Sequence, residues 1–163
     1  MRIPLACFPL TFACALAHGQ GFVNSYGGPM AEMAFGVAPL GSGFLTGTSR
    51  FISPAIGHSA GFLLIDGDGN FPAWEPVAGI SGRSFMQAVE SATDGGAFLA
   101  GNSIAPGADT HDAFVARFSS SGSLLWLAQP SMNGDEQYFA VHGLPDGGCI
   151  AAGVRSFGQG LGH

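Results

Sequence analysis

Lysine is absent from the sequence, and the five basic residues are all arginines: Arg2, Arg50, Arg83, Arg117 and Arg155. Charged residues supply only 10% of the 163. A nucleic-acid partner needs a basic patch, and four scattered arginines beyond the N-terminus, in a chain of formal charge −6, do not build one. The same shortage counts against amphipathic helices, whose wet face draws on Glu, Lys and Arg. After the N-terminal segment no apolar run approaches about eighteen residues, so no membrane span is expected. Cysteine is also scarce. Cys7 and Cys14 lie in the first seventeen residues, which leaves Cys149 without an internal disulfide partner if that segment is removed.

Glycine and phenylalanine are abundant instead, at 27 and 14 residues, and hydrophobic residues reach 47%. This is too apolar for a disordered tail. It suits short strands joined by tight turns, because glycine supplies the positive φ that turns require. Residues 1–17 have a different character. One charge at Arg2 precedes an apolar stretch from Ile3 to Leu16, which closes on Ala15-Leu16-Ala17. That layout predicts a secretory signal peptide cleaved after Ala17, and so a secreted or periplasmic protein.

Residues 18–163 are self-similar. Phe22, Trp74 and Trp126 are spaced by 52 residues, defining units 22–73, 74–125 and 126–163, about 2.7 in all. Gly41–Ser49 matches Gly95–Ser103, and Gly147–Gly153 matches both. Gly61–Ile65 matches Ala113–Arg117, and Glu32–Val37 matches Glu136–Val141. In the second unit, runs at Trp74–Ile80, Phe85–Glu90, Ala97–Gly101 and Ala113–Phe118 read as four strands, with Asp94-Gly95-Gly96 as a hairpin signal. The expected fold is all-β, built from four-stranded blades of about 52 residues like those of a β-propeller.

The motif carried by Trp74, Val89, Asp94-Gly95-Gly96, Gly101, Asp112–Arg117, Gly122 and Trp126 resembles the β-propeller repeats of secreted bacterial proteins, the delta-60 or SBBP-like repeats. The first unit departs from it, with Leu40 in place of the turn aspartate and Ile65 in place of the basic residue. The resemblance implies a propeller and no activity. The third unit has no D-x-F-V strand after Gly160–His163, so an incomplete ring is expected: a truncated piece, or a chain that closes a ring with further copies of itself.

Candidate chemistry is thin. Gly57-His58-Ser59-Ala60-Gly61 fits G-x-S-x-G, but a nucleophile elbow needs a helix after the serine, and Asp66–Gly69 breaks the chain too soon. Asp66-Gly67-Asp68-Gly69-Asn70 opens like a calcium loop, yet its twelfth position is Val77, so a polar hairpin turn is expected. Asp109, His111 and Asp112 read as a solvated loop. His58, His111 and His163 recur at similar places without the spacing of a zinc site. Glu32 and Glu136 are expected to pair within their own strands, and Trp74 and Trp126 to sit in the core rather than line a sugar pocket. No catalytic residue, cofactor or metal is assigned. The expected role is a non-enzymatic interaction or structural module whose partner is a protein or carbohydrate. The rival roles are a lectin-like ring assembled as a homo-oligomer and a piece of a propeller-borne hydrolase or lyase.

Overall fold

The computed structural model of the chain describes residues 31–130 and 134–157. The expected signal peptide and His163 lie outside them. The described residues form ten strands and no helix. In the first sheet β1 (Glu32–Leu40), β2 (Gly43–Ser53), β3 (Gly57–Ile65) and β4 (Trp74–Pro76) pair in that order as an antiparallel meander. In the second, β5 (Arg83–Ser91), β6 (Ala97–Ile104), β7 (Asp112–Phe118) and β8 (Leu124–Ala128) repeat the arrangement. The third is a hairpin of β9 (Asp135–Gly143) and β10 (Cys149–Ser156). Among the described residues these sheets close into neither a barrel nor a ring.

The strand expected at Trp74–Ile80 is shorter and belongs elsewhere. Only Trp74–Pro76 pairs, and it pairs with β3 of the preceding sheet, Trp74 opposite Leu63. Pro76 offers no N–H to extend the ladder, and Gly79 turns the chain away with φ +88. Trp126 does the same in β8, opposite Arg117. Each four-stranded sheet thus takes its outermost strand from the next sequence unit.

The sheets pack face to face. β5 lies against β1, β2 and β3, and β9 lies against β5, β6 and β7. One core fills the junction between the first and second sheets, around Leu45, Phe62, Met86, Leu99, Phe114 and Phe118. A smaller one, with Phe98, Ala100, Val115 and Val141, fills the junction between the second and third. Because side chains alternate along a strand, the middle strand of the stack must be apolar on both faces. β6 is buried at every position: Ala97 and Leu99 face the first sheet, Phe98 and Ala100 the third. The outward face of β10, by contrast, leaves Ile150 and Val154 59% and 49% exposed.

All three first strands carry a β-bulge. The extra residue is Phe35 in β1, Gln87 in β5 and Phe139 in β9, each 52 residues from the next. A glycine of the facing strand flanks each bulge: Gly47, Gly101 and Gly153. A Cβ at Gly101 would overlap the carbonyl oxygen of Phe85, and one at Gly153 that of Gln137. Bulges increase local twist, so the three sheets share one source of twist at the same place.

The first sheet is nevertheless out of phase with the others. Phe44-Leu45 and Phe98-Leu99 match in sequence, yet Leu45 is buried toward the next sheet and Phe44 is exposed. In the second sheet it is Phe98 that faces the next sheet, while Leu99 faces the previous one. The turns explain this. Leu40 pairs with Gly43 across two residues, whereas Ser91 pairs with Ala97, and Gly143 with Cys149, across five. An odd difference in turn length sends every following side chain to the other face.

Candidate functional site

The turns at the two ends of the stack differ in chemistry. At one end are the β1–β2 and β3–β4 turns and their counterparts, built from Asx and hydroxyl turns. Asp66 accepts the Asp68 and Asn70 N–H groups on Oδ1, at 3.0 and 2.8 Å, and the Asn70 side-chain amide on Oδ2. These bonds, led by that from the Asn70 backbone, hold its carboxyl below the ordinary aspartate value. Ser119 makes the same turn with its hydroxyl oxygen, accepting the Ser123 N–H at 3.2 Å. The expected polar hairpin turn is what the structure contains. Asp94 and Asp146 likewise accept the N–H groups of Gly96 and Gly148.

At the opposite end the β2–β3 and β6–β7 turns meet the segments that lead into β5 and β9. Here lie His58, Arg83, His111 and Asp135. His58 stands between the rings of Phe51 and Phe85, with centroids 5.5 and 5.3 Å away. His111 is clasped to the third sheet. Its backbone N–H and its Nδ1 both lie on Asp135 Oδ1, at 2.7 and 2.6 Å, and its carbonyl accepts the Glu136 N–H at 2.8 Å. The two imidazoles therefore serve different sheet junctions. No group of three or more His, Cys, Asp or Glu side chains is placed to hold a metal among the described residues. Asp109 is exposed in the β6–β7 turn, and Asp112 opens β7, where its carbonyl accepts the Ser103 hydroxyl at 3.5 Å. Ser59 lies inside β3 opposite Arg50, without the strand-to-helix turn of a nucleophile elbow.

The Asp135 carboxyl is held below the ordinary aspartate value of 3.8, first by the His111 N–H and then by the His111 side chain. A carboxyl whose folded pKa is depressed contributes stability above its unfolded pKa and loses it as pH falls through the folded one. The difference in urea midpoint between the protein and Asp135→Asn is therefore expected to be full above about pH 5 and to close as pH falls below the ordinary aspartate range. A difference of equal size at pH 7 and at low pH would show that charge at Asp135 is not involved.

Glu32 and Glu136, expected to pair within their own strands, pair instead with the neighbouring strand of the same sheet. Glu32 faces Arg50 across β1–β2 and Glu136 faces Arg155 across β9–β10, each with Nε to Oε1 at 3.1 Å. The tryptophans are not core residues. Trp74 is half-buried, its indole N–H donated to Thr48 Oγ1 at 2.8 Å, and Trp126 is 39% exposed, its ring 6.1 Å from Phe98. Their place on outermost strands is the reason. Two residues that carry the sequence motif do meet: Arg117 Nη2 lies 2.5 Å from Asp94 Oδ1. The paired departures in the first unit, Leu40 and Ile65, follow from this, since losing one partner removes the reason for the other.

Sequence reasoning passed over Arg83 and Asp135. They stand 52 residues apart at the first position of β5 and β9, and comparing the strand openings would have exposed this reversal of charge.

These observations define an all-β protein of stacked antiparallel meanders, with a loop end rich in histidine and charge. No protein-family model matches the chain, and no curated protein matches it.

Proposed function

We propose that the chain is part of an exported β-propeller that acts as a non-enzymatic interaction or structural module, its loop end forming the contact surface. The observation that carries this reading is the arrangement of first strands. β1, β5 and β9 lie side by side, each with the same bulge, while β4 and β8 stand at the far edges of their sheets. Four-stranded meanders packed face to face, with their first strands in succession, are what a propeller is built from, and this supports the reading. The 52-residue spacing and the resemblance to delta-60 or SBBP-like repeats support the same reading, and the layout of residues 1–17 supports export.

A lectin-like ring of several copies is favoured by one observation. Val37 and Phe44 of the first sheet, and Ile150 and Val154 of the third, are exposed apolar residues at opposite ends of the stack. The solution mass of residues 18–163, from size-exclusion chromatography with light scattering, separates the outcomes. One monodisperse oligomer with a β-type circular dichroism spectrum favours a ring closed by copies. Concentration-dependent aggregation favours a segment that needs further blades. A stable monomer that stays soluble at high concentration would sink both, because the terminal sheets would then need no cover.

A further inference from the structure

Between the first and second sheets, at the histidine-bearing loop end, lies an open cleft of about 430 Å³. Pro54 and Ile56 of the β2–β3 turn form one wall, and Ile104 at the end of β6 and Pro106 of the β6–β7 turn form the other. Among the described residues, Arg83 is the only charged one in the lining. Its stem is held by Gly57, whose φ is +79 and where a Cβ would come within 3.0 Å of Arg83 Cδ. Arg83 makes no ion pair among the described residues. At the next junction the matching position is Asp135, and there a histidine satisfies it. The first junction thus keeps an exposed cation without an ion-pair partner among the described residues, beside apolar side chains, in a chain of net negative charge.

We propose that this cleft binds a small organic carboxylate with an apolar body. A guanidinium offers two parallel N–H groups that match a carboxylate in a planar fork. The proline and isoleucine side chains accept hydrocarbon, and a single guanidinium matches one carboxylate better than a doubly charged phosphate. The volume suits a small ligand, since pockets for such molecules span about 300–1,000 Å³. The cleft is open, so affinity is modest, with a dissociation constant on the order of 1 mM. The proposal stands on this cleft alone and holds whether or not the sheets belong to a ring.

The test is titration of the full-length chain with hexanoate and with benzoate, followed by amide chemical shifts in two-dimensional NMR. Saturable shifts are expected at Ile56, Gly57, Ile104 and Gly107, and hexylamine should produce none there. Arg83→Gln is expected to weaken hexanoate binding about tenfold while leaving the rest of the spectrum in place. Ile56→Ser, which keeps the guanidinium, should weaken hexanoate and leave acetate unchanged. The proposal is overturned if neither carboxylate shifts these amides, if hexylamine binds as well as hexanoate, or if Arg83→Gln binds as before.

Discussion

Replacement of Arg117 by alanine is expected to destabilise the protein by about 3 kcal/mol, read as a shift in the urea midpoint. The side chain is only 3% exposed. Nη1 donates to the Ala97 carbonyl at 3.2 Å and to that of Phe118, and the guanidinium carbon lies 4.4 Å from the Phe98 ring centroid. Truncation leaves two carbonyls short of a donor and opens a void beside Phe98, one of the largest fully buried side chains. Lysine is not expected to rescue, because an ammonium cannot stack on the ring and reach both sets of acceptors. Asp94→Asn should cost less than Arg117→Ala. Asp94 is 62% exposed, and its loss leaves the guanidinium with both carbonyls. An Arg117→Ala variant within about 1 kcal/mol of the parent would show that the arginine is a surface ornament rather than part of the packing.

Gly101→Ala is expected to cost about 2–3 kcal/mol, although only one methyl group is added. The new Cβ would strike the Phe85 carbonyl at the β5 bulge and approach the Phe114 ring, 2.9 Å from Cζ. Neither can yield freely, since Phe114 is fully buried and the carbonyl is fixed by the bulge. Gly153→Ala meets the equivalent obstacle at Gln137, on a sheet covered on one side only, and should cost less. Thermal unfolding of the two variants provides the comparison. If Gly101→Ala melts with the parent, the glycine is retained for some reason other than the bulge.

Much of the local structure was legible. Asp94-Gly95-Gly96 and Asp146-Gly147-Gly148 read as turns because an aspartate beside glycines can bond to the turn's own N–H groups, and both do. The strands at Phe85–Glu90, Ala97–Gly101 and Ala113–Phe118 were found to within three residues at each end. Glu32 and Glu136 were expected to pair inside their own strands, but their partners Arg50 and Arg155 lie on the neighbouring strands. The destination of Trp74 was not legible. A three-residue strand ending in proline has too little sequence to show which sheet it joins, and its neighbour lies eleven residues back at Leu63. The tryptophans read as core because large aromatics usually are, but edge strands have only one neighbour to cover them.

The loop end was the least legible part. His58 and His111 were noticed as recurring residues, but their partners, Phe85 and Asp135, lie in the following sheet. The cleft at Arg83 draws its walls from two turns about fifty residues apart. Such juxtapositions depend on how one sheet settles on another.

By itself, then, the sequence determined where strands and turns fall, since those depend on glycine's backbone freedom, on Asx bonding and on short apolar runs, all local. It also argued against a basic nucleic-acid surface, because these 163 residues carry only five arginines and no lysine. Tertiary structure decided which face each side chain takes, as Phe44 and Phe98 show: a strand alternates with period two, so one odd change in turn length reverses it. It also decided which residues meet across sheets, because Arg117 on Phe98, His111 on Asp135 and Arg83 in its cleft follow from packing distance rather than from spacing along the chain.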